Sequence, residues 1–243
     1  MEALGKYFIF LGKLLVNRES FSTYVKLVID ECMAIGINSI FLVSLVSFFM
    51  GAVTTIQTAY NLISPLIPDY VISLVVRDMT ILELAPTIIG VIYAGKVGSS
   101  MASGLGTMRI SEQIDALEVM GINSTSYLVL PKVIGSVLMY PLLVILAGLL
   151  SMMGGYLAGH LTGVITPTEY IYGIRFEFNP YMVTFAMIKS LAFAFLVATI
   201  SSFKGYYTTG GAVEVGKAST SAVTQSVIAI LTADYLLAQL LLK

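Results

Sequence analysis

Charge is scarce in this sequence. Of 243 residues only 11% are Asp, Glu, Lys or Arg, less than half of the roughly 25% usual in a soluble domain. Thirteen basic and fourteen acidic side chains cannot cover the one or two soluble domains that a chain of this length would form. The shortage excludes a soluble enzyme, a disordered chain and a nucleic-acid binder with a basic face. The net charge of −1 points to no polyanionic or polycationic partner. Cys32 is the single cysteine and His160 the single histidine, which excludes an internal disulfide and a Cys/His zinc site. Tryptophan is absent, so an aromatic belt at a membrane surface falls to tyrosine.

What is present is hydrophobic residue, 57% of the chain, in long uncharged runs. No Lys, Arg, Asp or Glu occurs from 32 to 68 or from 133 to 168. A span needs about 20 apolar residues, and five fit the pattern: Ile37–Tyr60, Tyr70–Gly95, Lys132–Leu157, Tyr181–Phe203 and Ala218–Leu242. Asn61, Pro65 and Pro68 break the chain after the first span, and Pro180 opens the fourth. With the N-terminus inside, the cytoplasmic side receives Lys6, Lys13, Arg18, Lys26, Lys96, Arg109, Lys132, Lys204 and Lys217, while Arg175 and Lys243 fall outside. That asymmetry sets a cytoplasmic N-terminus and an external C-terminus. Charges scattered through the first 31 residues leave no apolar h-region, and the pattern predicts no cleavable leader.

Residues 1–29 read as a surface region. Leu4, Phe8, Leu11 and Leu15 share a helical face with Lys6 and Lys13 opposite, which suits a helix lying in the headgroups; packing on the spans is the other reading. Gly155, Gly159 and Gly163, and again Gly98, Ala102 and Gly106, recur every fourth residue, as in close helix pairs, within one copy or between two. Two strings, Gly90–Val97 and Gly211–Ala218, match G-x-x-x-x-G-K but end in Val97 and Ala218 where a phosphate loop needs Ser or Thr, so ATP chemistry is expected in a partner.

Between the second and third spans, residues 107–120 predict a short amphipathic helix stopped by Gly121. Ile110, Ile114 and Leu117 form its back; Glu112, Asp115 and Glu118 climb the other side. Such a helix either docks in a groove of a basic partner or is a solvated loop helix. Charges inside spans mark interior pairs or paths. Arg77 and Asp78 are expected near the outer headgroups. Glu83 lies deeper, in E-L-A-P, where Pro86 frees a carbonyl one turn back. Lys189 is expected to snorkel outward, Asp234 to seek Arg77 or Lys189, and His160 to sit at the outer interface. No nucleophile–base pair stands out.

Glu83-Leu-Ala-Pro86, Ala94-Gly-Lys-Val-Gly98, Leu105-Gly-Thr-Met-Arg109 and Glu112-Gln-Ile-Asp-Ala-Leu-Glu-Val-Met-Gly121 resemble the MlaE family of ABC permeases, as do Lys204-Gly-Tyr, Gly210-Gly211, Val215-Gly-Lys-Ala218 and Asp234-Tyr235. The resemblance implies an all-α membrane protein: one permease domain over 1–243, with an interfacial amphipathic helix, five transmembrane helices and a cytoplasmic coupling helix between the second and third. It implies a phospholipid permease in a bacterial inner membrane, working as a homodimer. Its implied partners are two cytoplasmic ATPase subunits, which bind ATP and magnesium, and a periplasmic MCE-domain protein. Arg109, Glu112, Gln113, Asp115 and Glu118 would form the coupling segment. Tyr60, Leu66, Leu82 and Glu83 would line a lipid cavity between spans one, two and five of the two copies. Gly104 stands where members often have an acid, and Leu82 where they often have a base. An ion-gradient-driven transporter, or a scaffold without substrate, is the alternative from other classes.

Overall fold

Uncharged runs of 20 and more residues, with backbone groups satisfied only by themselves, form helices. A computed structural model describes residues 2–14, 21–62 and 67–241. The helices are α1 (Glu2–Lys13), α2 (Phe21–Asn61), α3 (Tyr70–Met79), α4 (Ile89–Tyr93), α5 (Ser99–Ile110), α6 (Gln113–Val119), α7 (Ser124–Thr162), α8 (Pro167–Arg175), α9 (Tyr181–Tyr206) and α10 (Ala212–Leu241). Two π-helical stretches, Thr80–Ile88 and Ala94–Gly98, join α3 to α4 and α4 to α5. No strand occurs among the described residues. Four of these helices (α2, α7, α9 and α10) are long and apolar enough to cross a membrane. They hold the first, third, fourth and fifth predicted spans; the second falls in the succession of α and π turns from Tyr70 onward.

Helix ends differ from the expected ones in three places. Nothing breaks the helix between Phe21 and Asn61, so residues 21–29 are the first turns of α2 and continuous with the first span. The connector is not one helix over 107–120: Glu112 takes φ 60°, separating α5 from α6. Gly163 does not extend the packing stripe of Gly155 and Gly159. Its φ of 70° closes α7, with Gly163 N–H donating to the His160 carbonyl and Val164 N–H to Gly159, the paired bonds of a left-handed helix stop.

The described residues belong to two compact units. One comprises Met1–Asn38, Gly90–Tyr140 and Leu191–Lys243. Here α1 packs on the end of α9: Phe10 and Leu14 are buried, the Phe10 ring lies 5.5 Å from Phe203 and 5.6 Å from Tyr206, and the Tyr7 hydroxyl bonds Thr199 Oγ1 at 2.7 Å. The expected face is the neighbouring one. Phe8 on it is exposed; Leu15, and the side chain of Leu4, lie outside what is described. The aromatic residues of α9 select the Tyr7–Phe10–Leu14 stripe, a choice that α1's own periodicity does not contain. The Gly98, Ala102 and Gly106 seam works within the chain. A Cβ on Gly98 would stand 2.7 Å from Ser201 Oγ, one on Gly106 3.2 Å from Val215, and Gly205 backs onto the Ala102 carbonyl.

The other unit comprises Ser39–Ile89 and Pro141–Ser190. Gly51 meets the Ser151 backbone and Gly154 the Phe48 backbone, so these parts of α2 and α7 run in main-chain contact, closer than any side chain allows. α8 begins with a reciprocal cap: Thr166 Oγ1 accepts from Glu169 N–H, the Glu169 carboxylate accepts from Thr166 N–H, and Pro167 takes the first turn. Tyr170 of α8 is buried with Ile72 and Ile165, and its hydroxyl donates to the Met152 carbonyl at 3.0 Å.

Candidate functional site

Among the described residues, each unit holds a polar arrangement that simple packing does not require. In the first it is the connector. α6 is only seven residues long, too short to hold itself helical in water, and its neighbours supply the stability. Ile114 is fully buried, with Ile110 and Leu117 partly so. Arg109 Nη1 donates to Asp115 at 2.5 Å across the Ser111–Glu112 break. Ser124 Oγ and the Tyr206 hydroxyl both donate to Glu118 Oε1, at 2.8 and 2.9 Å. These donors, the Ser124 hydroxyl foremost, then Tyr206, with Arg109 and Lys13 as nearby positive charges, hold the Glu118 carboxyl below its ordinary range. At its end Gly121 (φ 79°) reverses the chain, with Ile122 N–H on the Leu117 carbonyl and Gly121 N–H on Glu118. Asn123 then caps α7, accepting from Ser126 N–H and donating to the Lys13 carbonyl. Left outward are Glu112, Gln113, Ala116, Val119 and Met120, the last two 89% and 65% exposed.

In the second unit the arrangement surrounds Pro86, which stands inside the π-helical stretch Thr80–Ile88. A proline has no N–H to give to the carbonyl four residues back, here that of Leu82. Lys189 Nζ donates to that carbonyl at 2.9 Å and to Glu83 Oε2 at 2.9 Å. The lysine side chain is fully buried and the glutamate half-exposed. The expectation that Lys189 snorkels outward is therefore corrected. A buried ammonium needs a counter-charge and acceptors, and this helix turn offers both. π-turns inside α-helices are frequent at functional sites. Arg77 makes a second set of buried contacts. Its side chain is 2% exposed and turned into the protein: its Nε donates to Asp78, and its Nη1 donates to the Ile174 and Phe176 carbonyls at the end of α8.

A family model described as Permease MlaE matches residues 28–240. The chain belongs to the MlaE permease family. A "Probable ABC transporter permease protein" of Rickettsia bellii is 36% identical over 242 residues, 100% of this chain and 93% of that protein. A probable ABC transporter permease protein of Synechocystis is 33% identical over 239 residues, 98% and 88% of the two chains. "Protein TRIGALACTOSYLDIACYLGLYCEROL 1, chloroplastic" of Arabidopsis thaliana is 37% identical over 155 residues, 64% of this chain and 44% of that one.

In this ABC permease the sequence-selected residues fall into two groups. Arg109, Glu112, Gln113, Asp115 and Glu118 come together around α6, but the three acids do not present one outward stripe. Asp115 and Glu118 are bonded within the chain, and Glu112 occupies the break. Leu82 and Glu83 meet at Lys189, while Tyr60 is 77% exposed near the end of α2 and Leu66 lies outside the described residues. Sequence reasoning missed Lys189 as the partner of Glu83, Tyr206 and Ser124 as the holders of Glu118, and Arg77 as the cap of α8. Only Pro86 carried a signal, the freed carbonyl that Lys189 fills. The G-x-x-x-x-G-K strings are not phosphate loops: Gly90–Val97 is helical throughout, and Gly211 directly precedes α10. Among the described residues no cluster of His, Cys, Asp or Glu is placed to hold a metal.

Proposed function

We propose that this permease passes phospholipid between a bacterial inner membrane and a periplasmic MCE-domain partner, as a homodimer driven by two cytoplasmic ATPase subunits that bind the ATP and magnesium. The chain crosses five times in this reading. The interrupted helix from Tyr70 is the second span, the N-terminus is cytoplasmic and the C-terminus periplasmic, as the basic residues require. The observation that carries the reading is the design of α6. Arg109, Ser124 and Tyr206 hold its inner side, so Glu112, Gln113, Val119 and Met120 form a small, rigid, outward-facing acidic and apolar knob. A knob of that kind fits a groove on an ATPase, where a few buried contacts carry most of the affinity.

A second copy is supported by α10. Its outward side carries Thr220, Thr224 and Gln225. The threonine hydroxyls donate back to the Gly216 and Thr220 carbonyls, and among the described residues Gln225 reaches only Ser221. A glutamine amide facing hydrocarbon is costly, whereas a partner helix or a lipid-headgroup cavity satisfies it. Lipid as cargo is in keeping with the Arabidopsis relative, whose name is that of a galactosylated diacylglycerol. Tyr60, Leu66, Leu82 and Glu83 are the residues proposed to meet that cargo. Affinity purification from membranes tests the assembly: an ATPase subunit and bound phospholipid are expected together, and the ATPase is expected to be lost from Glu112→Arg and Met120→Asp variants that still fold. Recovery of the permease alone, under conditions where the variants behave like the parent, overturns the coupling assignment.

A further inference from the structure

A cavity in the second unit belongs to neither arrangement above. It measures about 460 Å³, within the roughly 300–1,000 Å³ range of small-ligand sites. Its walls are aliphatic: Ile81, Gly148, Met152, Ala186 and Met187 supply much of them. Leu149 and Val183 also line it and are exposed, so the cavity opens sideways through an apolar mouth on the surface of α7 and α9. The gap in the α7 wall is set by Gly148, where a Cβ would meet nothing within 4 Å.

One part of the lining is different. Arg77 and Arg175 both border the cavity beside Ile174 and Phe178. Arg77 is nine-tenths and more buried; Asp78 takes its Nε, the α8 carbonyls take its Nη1 and the Phe178 ring lies 5.6 Å from its guanidinium carbon. Among the described residues its Nη2 has no acceptor. Arg175 is exposed and has no ion-pair partner among the described residues. Two guanidinium groups against one carboxylate leave a net positive charge at that part of the cavity, and Glu177, two residues on, does not line it.

We infer that this cavity is a lipid site within a single copy of the chain, taking one acyl chain of a phosphate-bearing diacyl lipid between α7 and α9 and its phosphate on Arg175 and Arg77. An apolar trough with a side mouth in a membrane protein is filled by hydrocarbon, and guanidinium forks are the groups that hold phosphate oxygens. A free phosphate has no use for the aliphatic walls. The inference needs the membrane setting but not the transport reading: a chain that moved no lipid would still hold one here.

The test uses the full-length protein in nanodiscs, without ATP or an ATPase. Two photoactivatable probes carry the same diazirine acyl chain, one a phosphatidylglycerol and the other a diacylglycerol. Crosslinked peptides are mapped by mass spectrometry. The phosphatidylglycerol probe is expected to label residues 144–152 and 183–187 about fivefold more than the diacylglycerol, the ratio that one partly exposed charge contact supports. Arg175→Gln is expected to erase the difference and Arg175→Lys to keep most of it. Gly148→Phe, which builds into open space, is expected to abolish labelling of both segments by both probes. Equal labelling by the two probes in the parent protein overturns the headgroup assignment. Unchanged labelling in Gly148→Phe overturns the chain's place in the cavity. Arg175→Gln alters an exposed side chain, and it carries the test if Gly148→Phe fails to fold. Because no transport is measured, a failure here leaves the proposed function standing, and a failure of transport leaves this site standing.

Discussion

Lys189 Nζ stands 2.9 Å from the Glu83 carboxylate and 2.9 Å from the Leu82 carbonyl, to which Pro86, four residues on, has no N–H to give. Glu83 and Pro86 of E-L-A-P thus form one group with Leu82 and Lys189, in which the proline withholds its N–H from the Leu82 carbonyl and the lysine donates to it. The two charged partners are unequal. Lysine is fully buried, whereas half of the glutamate is accessible.

That inequality predicts an asymmetric pair of substitutions. Glu83→Ala strands a buried ammonium and is expected to cost about 3–5 kcal/mol. Lys189→Met leaves a carboxylate that water can reach and removes the lysine's hydrogen bond to the Leu82 carbonyl, for about 1–3 kcal/mol. The double variant Glu83→Gln with Lys189→Met is expected to recover part of the loss, since a pair removed together leaves no lone charge. Denaturation in detergent measures all three. Equal costs for the two single changes would contradict the burial difference.

Arg77 predicts a local effect. Arg77→Lys keeps the charge but loses the fork that reaches Asp78 and two carbonyls at once. Hydrogen exchange is expected to rise in residues 167–178 and to stay unchanged in α6. Uniform protection in the variant would show that the cap contributes nothing.

Glu118 predicts a pH effect of definite sign. Its folded carboxyl is held below the ordinary value by Ser124 first, then Tyr206, with Arg109 and Lys13 behind them. A depressed folded value means that the contribution is present above the ordinary glutamate range and is lost as pH falls through the folded one. Ser124→Ala is therefore expected to move the acid limb of the melting profile upward in pH, with little change near neutrality beyond the lost hydrogen bond. Because Glu118 is largely exposed, the shift is small. A limb that moves down, or does not move, contradicts the assignment.

The glycines predict a contrast on one helix. Gly154→Ala drives a Cβ into the Phe48 backbone, while Gly148→Ala enters open space. The first is expected to cost about 1–3 kcal/mol, as overpacking does, and the second to be neutral or slightly favourable. Their relative melting temperatures decide the point.

Much of this architecture is readable in one dimension, because it depends on local pattern. The uncharged runs become α2, α7, α9 and α10; Gly121 stops α6; Ile110, Ile114 and Leu117 form its inner face; and Pro86 announces a freed carbonyl at Leu82. The α8 cap was equally readable, since Thr166-Pro-Thr-Glu169 spells the reciprocal cap with proline at its first turn, yet Val133–Thr168 looked like one uncharged run. What the sequence does not contain is partnership across elements. Lys189 reads as a lysine that snorkels out of its span until Glu83 and Leu82, more than a hundred positions away, come beside it. Likewise α1 offers two adjacent apolar stripes, and only the aromatic end of α9 chooses Phe10 and Leu14 over the Phe8 face. Asp115 and Glu118 read as a free acidic stripe because Arg109, Ser124 and Tyr206 are invisible as their partners.

The most direct test of the whole account is transfer of a fluorescent phospholipid by the permease and its ATPase, co-reconstituted in proteoliposomes. Transfer is expected to require ATP, to ignore collapse of proton and sodium gradients, and to fall away in Glu112→Arg while the protein remains folded. Transfer that continues without ATP and stops when a gradient is dissipated would contradict the account.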